Sequence, residues 1–448
     1  MQINLLKKII SLFIIFEPSF LSQIILAQET LTATDGQYRY PIILKGRLPI
    51  IGQKITSLRA YSFKNKTWHP IPMQIEEINS IGDYVLEGGL PFTKDTDDGF
   101  FDANDEVVLK GNDLGDSFSE TDVLEFKKNE VSRMWGINFS HEKTRFGSVL
   151  IVSWNKAATN QDTPSFSPVV TFDEKEGFIN SPLYHYQFRH KNPVLLGEVV
   201  LRTKTDEHFI VFEKSAFKMI FNLPWWMPNF SLKDSDFESS IESWQVGPIR
   251  TIVAVGVKFK SFLSIFNFHM FSELVFYENM FQIPTVIEFS YDPSQYLQAG
   301  SGLAYSITLP LGKDWMLDTN LMDLPELAPQ ETLEKIKTAA DTPFFYATGR
   351  RAEGSFLVKV RVDERARNLV PPPFLIRKSM FGKEPWVSAR HWFKDFSGDL
   401  GLFLDISNVK KGTYDFGLDL FLSSKADEHF QDYNLIKPEW FYLPLKKQ

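Results

Sequence analysis

The stretch that decides the fold class runs from Arg250 to Lys260 and reads Arg-Thr-Ile-Val-Ala-Val-Gly-Val-Lys-Phe-Lys. It alternates with a period of two and is rich in β-branched residues, a pattern typical of a β-strand. Residues 195–204 alternate in the same way. Both stretches are long for strands, so the sequence predicts an extended antiparallel sheet in the middle of the chain.

Shorter alternating stretches separated by turn residues precede and follow this middle segment. They predict a mainly β protein with two or three antiparallel β-sandwich domains. The expected boundaries are residues 28–155, 169–325 and 354–445, and packing of the last domain onto the middle one stays open. Two segments are exceptions. Residues 234–244 also suit a short helix, and residues 330–339, which follow Pro329, suit one better.

The first 27 residues have the pattern of a secretory signal peptide. Lys7 and Lys8 precede an apolar run, and a cleavage point follows Ala27. No later apolar run is long enough to cross a bilayer, so we expect no transmembrane span after cleavage. The sequence therefore predicts a secreted protein, periplasmic or extracellular.

Composition excludes several classes of function. The chain has no cysteine, which rules out disulfides and thiol catalysis. Its net charge is −8 and its lysines and arginines form no basic stripe, so we expect no nucleic-acid partner. Aromatic residues make up 15% of the chain, a content that suits both strands and sugar-binding surfaces.

One segment carries all of the excess charge. Residues 94–122 contain 10 acids and 2 bases, a balance of −8 that equals the charge of the whole chain. Carboxylates spaced around Gly99 are typical of loops that bind Ca²⁺, which takes six to eight oxygen ligands. The candidate ligands are Asp95, Asp97, Asp98, Asp102, Asp105 and Glu106. The alternative is a solvated acidic turn without a metal.

Two further stretches hold candidate ligand-binding residues. Tyr184, His185 and His190 lie close together in a predicted strand and could contact a sugar acid. Trp225 and Trp226 are adjacent between two prolines, where loop tryptophans can stack on sugar rings or enter an interface. The competing explanation is ordinary packing: a half-buried strand for the first stretch, and a loop folded onto the core for the two tryptophans.

Two segments resemble known protein groups. Residues 68–77, with Gln74 and Glu76, resemble a strand of uncharacterised secreted bacterial β-proteins in which an acidic calcium-like loop follows. Residues 246–253, with Gly247 and Arg250, are similar to a strand of galactose-mutarotase-like supersandwich proteins, among them rhamnogalacturonan lyases. The second resemblance implies a supersandwich in the middle segment and a carbohydrate ligand, but it carries over no catalytic residue.

Two functions therefore remain open at the level of sequence. The first is a non-catalytic protein that binds carbohydrate or another cell-envelope component, with Ca²⁺ bracing its first domain. The second is a polysaccharide lyase or a related carbohydrate-active enzyme.

Overall fold

The computed structural model confirms a mainly β protein built from antiparallel sheets. It describes residues 40–90, 99–126, 130–141, 144–155, 166–202, 208–259, 268–290, 292–299, 301–308, 316–319, 345–351, 354–362, 374–375, 400–425 and 436–443. The predicted signal peptide lies outside these ranges, so its cleavage stays a prediction. No helix within them is both long enough and apolar enough to cross a membrane.

The strands of the first part of the chain are β1 (Pro41–Lys45), β2 (Leu58–Lys64), β3 (Thr67–Ile71), β4 (Met73–Glu76), β5 (Gly88–Gly89), β6 (Glu106–Lys110), β7 (Val131–His141) and β8 (Thr144–Trp154). Those of the middle are β9 (Thr171–Asp173), β10 (Phe178–Asn180), β11 (Tyr184–Gln187), β12 (Glu198–Arg202), β13 (His208–Phe212), β14 (Lys214–Phe221), β15 (Phe230–Lys233), β16 (Phe237–Val246), β17 (Thr251–Phe259), β18 (Phe268–Phe276), β19 (Met280–Phe289), β20 (Gly302–Thr308) and β21 (Met316–Thr319). The last part contributes β22 (Phe345–Arg351), β23 (Gly354–Val362), β24 (Phe374–Leu375), β25 (Leu400–Asp405), β26 (Gly412–Ser423) and β27 (Ile436–Tyr442).

A nine-stranded sheet forms one layer of the main sandwich. Its strand order is β21-β22-β23-β26-β19-β18-β17-β16-β5. Two five-stranded sheets face it, with orders β13-β12-β11-β10-β9 and β15-β14-β20-β25-β24. One continuous apolar core joins the three, and edge-to-face ring contacts such as Tyr186 with Phe276 at 5.0 Å cross between the layers.

Two smaller sheets come mainly from the first part of the chain. The three-stranded sheet has the order β1-β6-β4, and a five-stranded sheet has the order β27-β7-β8-β2-β3. The last strand of the protein thus pairs with β7. In the same way, β26 inserts between β19 and β23 of the nine-stranded sheet. Sheets of the folded chain therefore combine strands from segments that are far apart in sequence.

The helix considered for residues 234–244 does not form, and the one predicted for residues 330–339 lies outside the described residues. Only Asp234–Asp236 forms a short 3-10 turn, and β16 begins at Phe237. In β16, buried Phe237 is followed by alternating exposed and half-buried residues, which fits pairing with β17 on a sheet surface. Other short 3-10 turns cover Ile55–Ser57, Gly111–Asp113, Asp122–Glu125 and Pro293–Gln295.

Candidate functional site

Both segments singled out by resemblance meet in the folded protein. The side chain of Gln74, on β4, accepts hydrogen bonds from the backbone N–H groups of Ile249 and Arg250, both at 2.9 Å. Its amide nitrogen donates to the carbonyl of Arg250 at 3.1 Å and also to Glu76. Gly247 lies directly against this amide, where a methyl group would overlap it. The glutamine therefore ties the three-stranded sheet to the segment that leads into β17.

Arg250 is the centre of a buried ion cluster. Its Nη2 donates to Glu106 at 2.8 Å and its Nε lies 3.3 Å from Glu76, and each of the three side chains is only 1% exposed. Its Nη1 donates to the Tyr277 hydroxyl at 2.9 Å, and the guanidinium carbon lies 5.1 Å from the ring centre of Tyr84. The arginine, which immediately precedes β17 of the nine-stranded sheet, thus neutralises carboxylates on β4 and β6.

The electrostatics of the cluster follow from burial and from two cations, the buried Arg250 and the exposed Lys45. Burial raises the pKa of Glu76 in spite of its contact with Arg250. Burial acts in the same direction on Glu106, but Arg250 and Lys45 together bring its pKa below the ordinary value. The pKa of Arg250 stays well above its usual range because two tyrosines and both carboxylates surround it. Glu106 is therefore held in its ionised form by these two cations.

Glu273 adds a third carboxyl group to the cluster. It lies on β18 and accepts a hydrogen bond from the backbone N–H of Tyr84 at 3.0 Å. Burial has the largest effect and raises its pKa. The hydrogen bond from Tyr84 and the charge of Arg250 lower the pKa, Asp83 and Glu106 raise it, and the net pKa is about 8. At neutral pH this group is protonated in the folded protein, so the cluster avoids a third negative charge beside one buried arginine.

The position of the cluster indicates a structural role. It is closed to solvent at Arg250, Glu76 and Glu106, and its members come from β4, β6, β17 and β18 or their flanks. Buried ion pairs of this kind fix the relative position of the elements that carry them, and removing one partner leaves an uncompensated charge. The cluster therefore holds the first part of the chain onto the nine-stranded sheet.

The structure describes three of the six predicted calcium ligands, Asp102, Asp105 and Glu106. Asp95, Asp97 and Asp98 lie outside the described residues. Both carboxylate oxygens of Asp105 accept backbone N–H groups, from Ile78 at 2.9 Å and from Asp102 at 2.8 Å.

The remaining predicted ligands make other contacts. Glu106 binds Arg250 and Lys45, and Asp102 accepts the backbone N–H of Asn104 at 3.1 Å. Among the residues that the structure describes, no three acidic or histidine side chains form a group that could hold a metal. Calcium binding stays a prediction that depends on residues 91–98.

Trp225 and Trp226 occupy the two central positions of a tight turn between β14 and β15. The turn, residues 224–227, is closed by a hydrogen bond from the Met227 N–H to the Pro224 carbonyl at 2.8 Å. The two indole side chains are 93% and 64% exposed. Both predicted ligand-binding tryptophans therefore face solvent on a turn that we call the tryptophan turn.

The tryptophan turn is firmly held at its base. The rings of Phe221 and Phe230 stack with centres 4.5 Å apart, and Leu223 donates its N–H to the side chain of Asn229 at 2.8 Å. Met227 packs against the main core. A turn fixed in this way loses little conformational freedom when its exposed side chains bind a partner.

Tyr184, His185 and His190 do not form a common site. Tyr184 is fully buried, and its hydroxyl donates to the backbone carbonyl of Tyr277 at 2.8 Å. His185 lies on the other face of β11, half-buried against Phe178, and burial lowers its pKa. His190 is exposed beyond the end of the strand. The alternation of the strand places the first two on opposite faces, as its period requires.

Sequence reasoning missed the ion cluster as a unit. Gln74, Glu76 and Arg250 were each noted within a resemblance, and Glu106 was assigned to a metal, but Tyr84 and Glu273 were not singled out. An available signal was a glutamate within the apolar strand segment 268–276, because a lone acid there requires a buried partner.

Comparison with known proteins adds little beyond the fold class. No protein-family model matches the chain, and no curated protein sequence matches it. Among solved structures, an alpha-mannosidase from Enterococcus faecalis V583 is similar over 91% of this chain and 46% of its own, with 9% identity and a TM-score of 0.38. The chain thus spans about half the length of that enzyme.

The Slr1438 protein from Synechocystis sp. PCC 6803 is also similar, over 60% of this chain and 100% of its own, with 11% identity and a TM-score of 0.30. Scores and identities this low carry no argument about function. The functional conclusion therefore rests on the residues of this chain.

Proposed function

We propose that the protein is a secreted carbohydrate-binding protein of the cell envelope, and that the tryptophan turn is its contact surface. The observation that supports this proposal is the exposure of two adjacent indoles, 93% and 64%, on a turn that is fixed at its base. Water-exposed tryptophans gain nothing from the protein core, whereas their flat faces are well suited to stacking on sugar rings.

Polar groups next to the turn support a carbohydrate ligand over a purely apolar one. The backbone of Asn222, at the start of the loop, accepts the N–H of Gln298 at 2.8 Å, so residues 292–299 form a second loop beside the first. That loop exposes the side chains of Gln295, Tyr296 and Gln298. Amide groups beside aromatic faces can bind the hydroxyl groups of a sugar while the rings stack.

The polysaccharide-lyase alternative has less support. Its candidate residues centre on Tyr184, whose hydroxyl is buried and donates to a backbone carbonyl. That hydroxyl cannot reach a polysaccharide in solution. We therefore propose binding without catalysis at the tryptophan turn.

The test is affinity electrophoresis and sedimentation of the purified mature protein with a panel of soluble and insoluble polysaccharides. We expect binding to at least one of them, and we expect Trp225→Ala with Trp226→Ala to weaken it about tenfold or more. Ile81→Ala is the matched control, since Ile81 is 79% exposed on a different loop. Binding that is the same in the tryptophan and control variants would refute the proposed surface.

A further inference from the structure

Three loops meet at one end of the sheet that contains β14, β15, β20 and β25. They are residues 222–229, residues 292–299 and residues 406–411, and we call them together the loop end. Ser294 donates its N–H to the carbonyl of Val409 at 3.3 Å, and Ile406 donates to the carbonyl of Ser301 at 3.1 Å. With the Asn222 contacts described above, these hydrogen bonds hold the three loops side by side.

The charges of the loop end differ from those of the whole chain. Residues 222–229 carry no charge, the second loop carries only Asp292, and the third carries Lys410 and Lys411. Both lysines are exposed. The carboxylate of Asp292 accepts the backbone N–H of Lys411 at 2.5 Å and the side-chain amide of Gln295 at 3.3 Å. The loop end is thus slightly positive on a chain whose net charge is −8.

We infer that the glycan bound at the tryptophan turn is anionic, with carboxylate or other acidic groups that Lys410 and Lys411 contact. This inference rests on the proposed function. The indoles would stack on sugar rings, and the two lysines on the third loop, beyond residues 292–299, would attract the acidic substituents of sugar units further along the glycan chain. Since the lysines are exposed, their contribution is expected to be modest and sensitive to salt.

The experiment compares an acidic polysaccharide with a neutral one of similar backbone, using the full mature chain. At low salt we expect the acidic polymer to bind about 3- to 10-fold more tightly, as two exposed charge contacts allow. The difference should disappear at high salt and in the variant Lys410→Ala with Lys411→Ala, which keeps its affinity for the neutral polymer. Lys175→Ala, at an exposed turn between β9 and β10, is the matched control.

The outcomes separate the two proposals. Equal binding of the acidic and neutral polymers would overturn the inference that the glycan is anionic, and so would a lysine variant that behaves like the control. Either result would leave the proposed function intact. Failure to bind any polysaccharide overturns both. The protein could instead bind vesicles of anionic lipid through the tryptophans and bind no glycan. That result would also overturn both proposals and would assign the loop end to a membrane surface.

Discussion

Glu273→Gln should make the protein more stable at alkaline pH, because the wild-type carboxyl is held protonated by its surroundings. The folded-state pKa is about 8, against an ordinary value of 4.5. Between these two values the folded protein keeps a proton that the unfolded chain has lost. The free energy of unfolding of the wild type must therefore fall as pH rises through this window, and level off above it.

The magnitude follows from the same two pKa values. Each pH unit inside the window changes the free energy of unfolding by about 1.4 kcal/mol, so this group should remove about 2–3 kcal/mol between pH 6 and pH 9. Glutamine stays neutral throughout and can still accept the hydrogen bond from the N–H of Tyr84. The difference between mutant and wild type should therefore be small near pH 5 and grow to several kcal/mol at pH 9.

The assay is urea unfolding of both proteins at intervals from pH 5 to pH 9, followed by tryptophan fluorescence. Taking the difference between the proteins cancels the other groups that titrate in this range. Glu278→Gln is the matched control, since Glu278 is partly exposed and pairs with Lys110 at 2.6 Å. A mutant-minus-wild-type difference that stays constant across this range would refute the claim that Glu273 is buried in its neutral form.

Further predictions concern the buried ion cluster around Arg250 and the acidic loop. Arg250→Met should lower the free energy of unfolding by about 3–5 kcal/mol, because it leaves Glu76 without a cation and Glu106 with only the exposed Lys45. Lys110→Met, at a partly exposed pair, should cost less than about 1 kcal/mol. Equal losses in urea unfolding would contradict the role of burial. Gly247→Ala should cost about 1–3 kcal/mol, because the added methyl displaces the amide of Gln74, and unchanged stability would show that this contact is loose. If the acidic loop binds Ca²⁺ in the folded state, excess chelator should lower the melting temperature by several degrees, and an unchanged melting temperature leaves the solvated acidic turn.

The fold class could be predicted from sequence because strand periodicity is a local property. Residues 250–260 alternate, and the structure places β17 at Thr251–Phe259. Residues 234–244 misled the same approach, since Phe237, Ile241 and Trp244 recur at helical spacing. The register of β16 also shifts between Ile241 and Ser243, so strict alternation is lost. Which strands become neighbours was not predictable, because pairing of β27 with β7 depends on contacts between distant parts of the chain.

The candidate site was predictable only in part. Exposure of Trp225 and Trp226 agrees with the expectation that a proline-flanked loop presents them to solvent. The ion cluster could not be assembled from sequence, since Arg250 lies 174 positions from Glu76 and 144 positions from Glu106, and only folding brings them together. Taken singly, a glutamate or an arginine in a strand is also compatible with a surface position, so none of the three residues indicated the cluster.

The pairing of the last strand with β7 has a consequence for biogenesis. Until residues 436–442 have been synthesised, the edge of β7 with which they pair, residues 135–141, stays open. An open edge of this length invites pairing with another chain. A product that stops short of Ile436 is therefore expected to aggregate even though most of the described core residues are present, because pairing of β27 with β7 is what covers this edge.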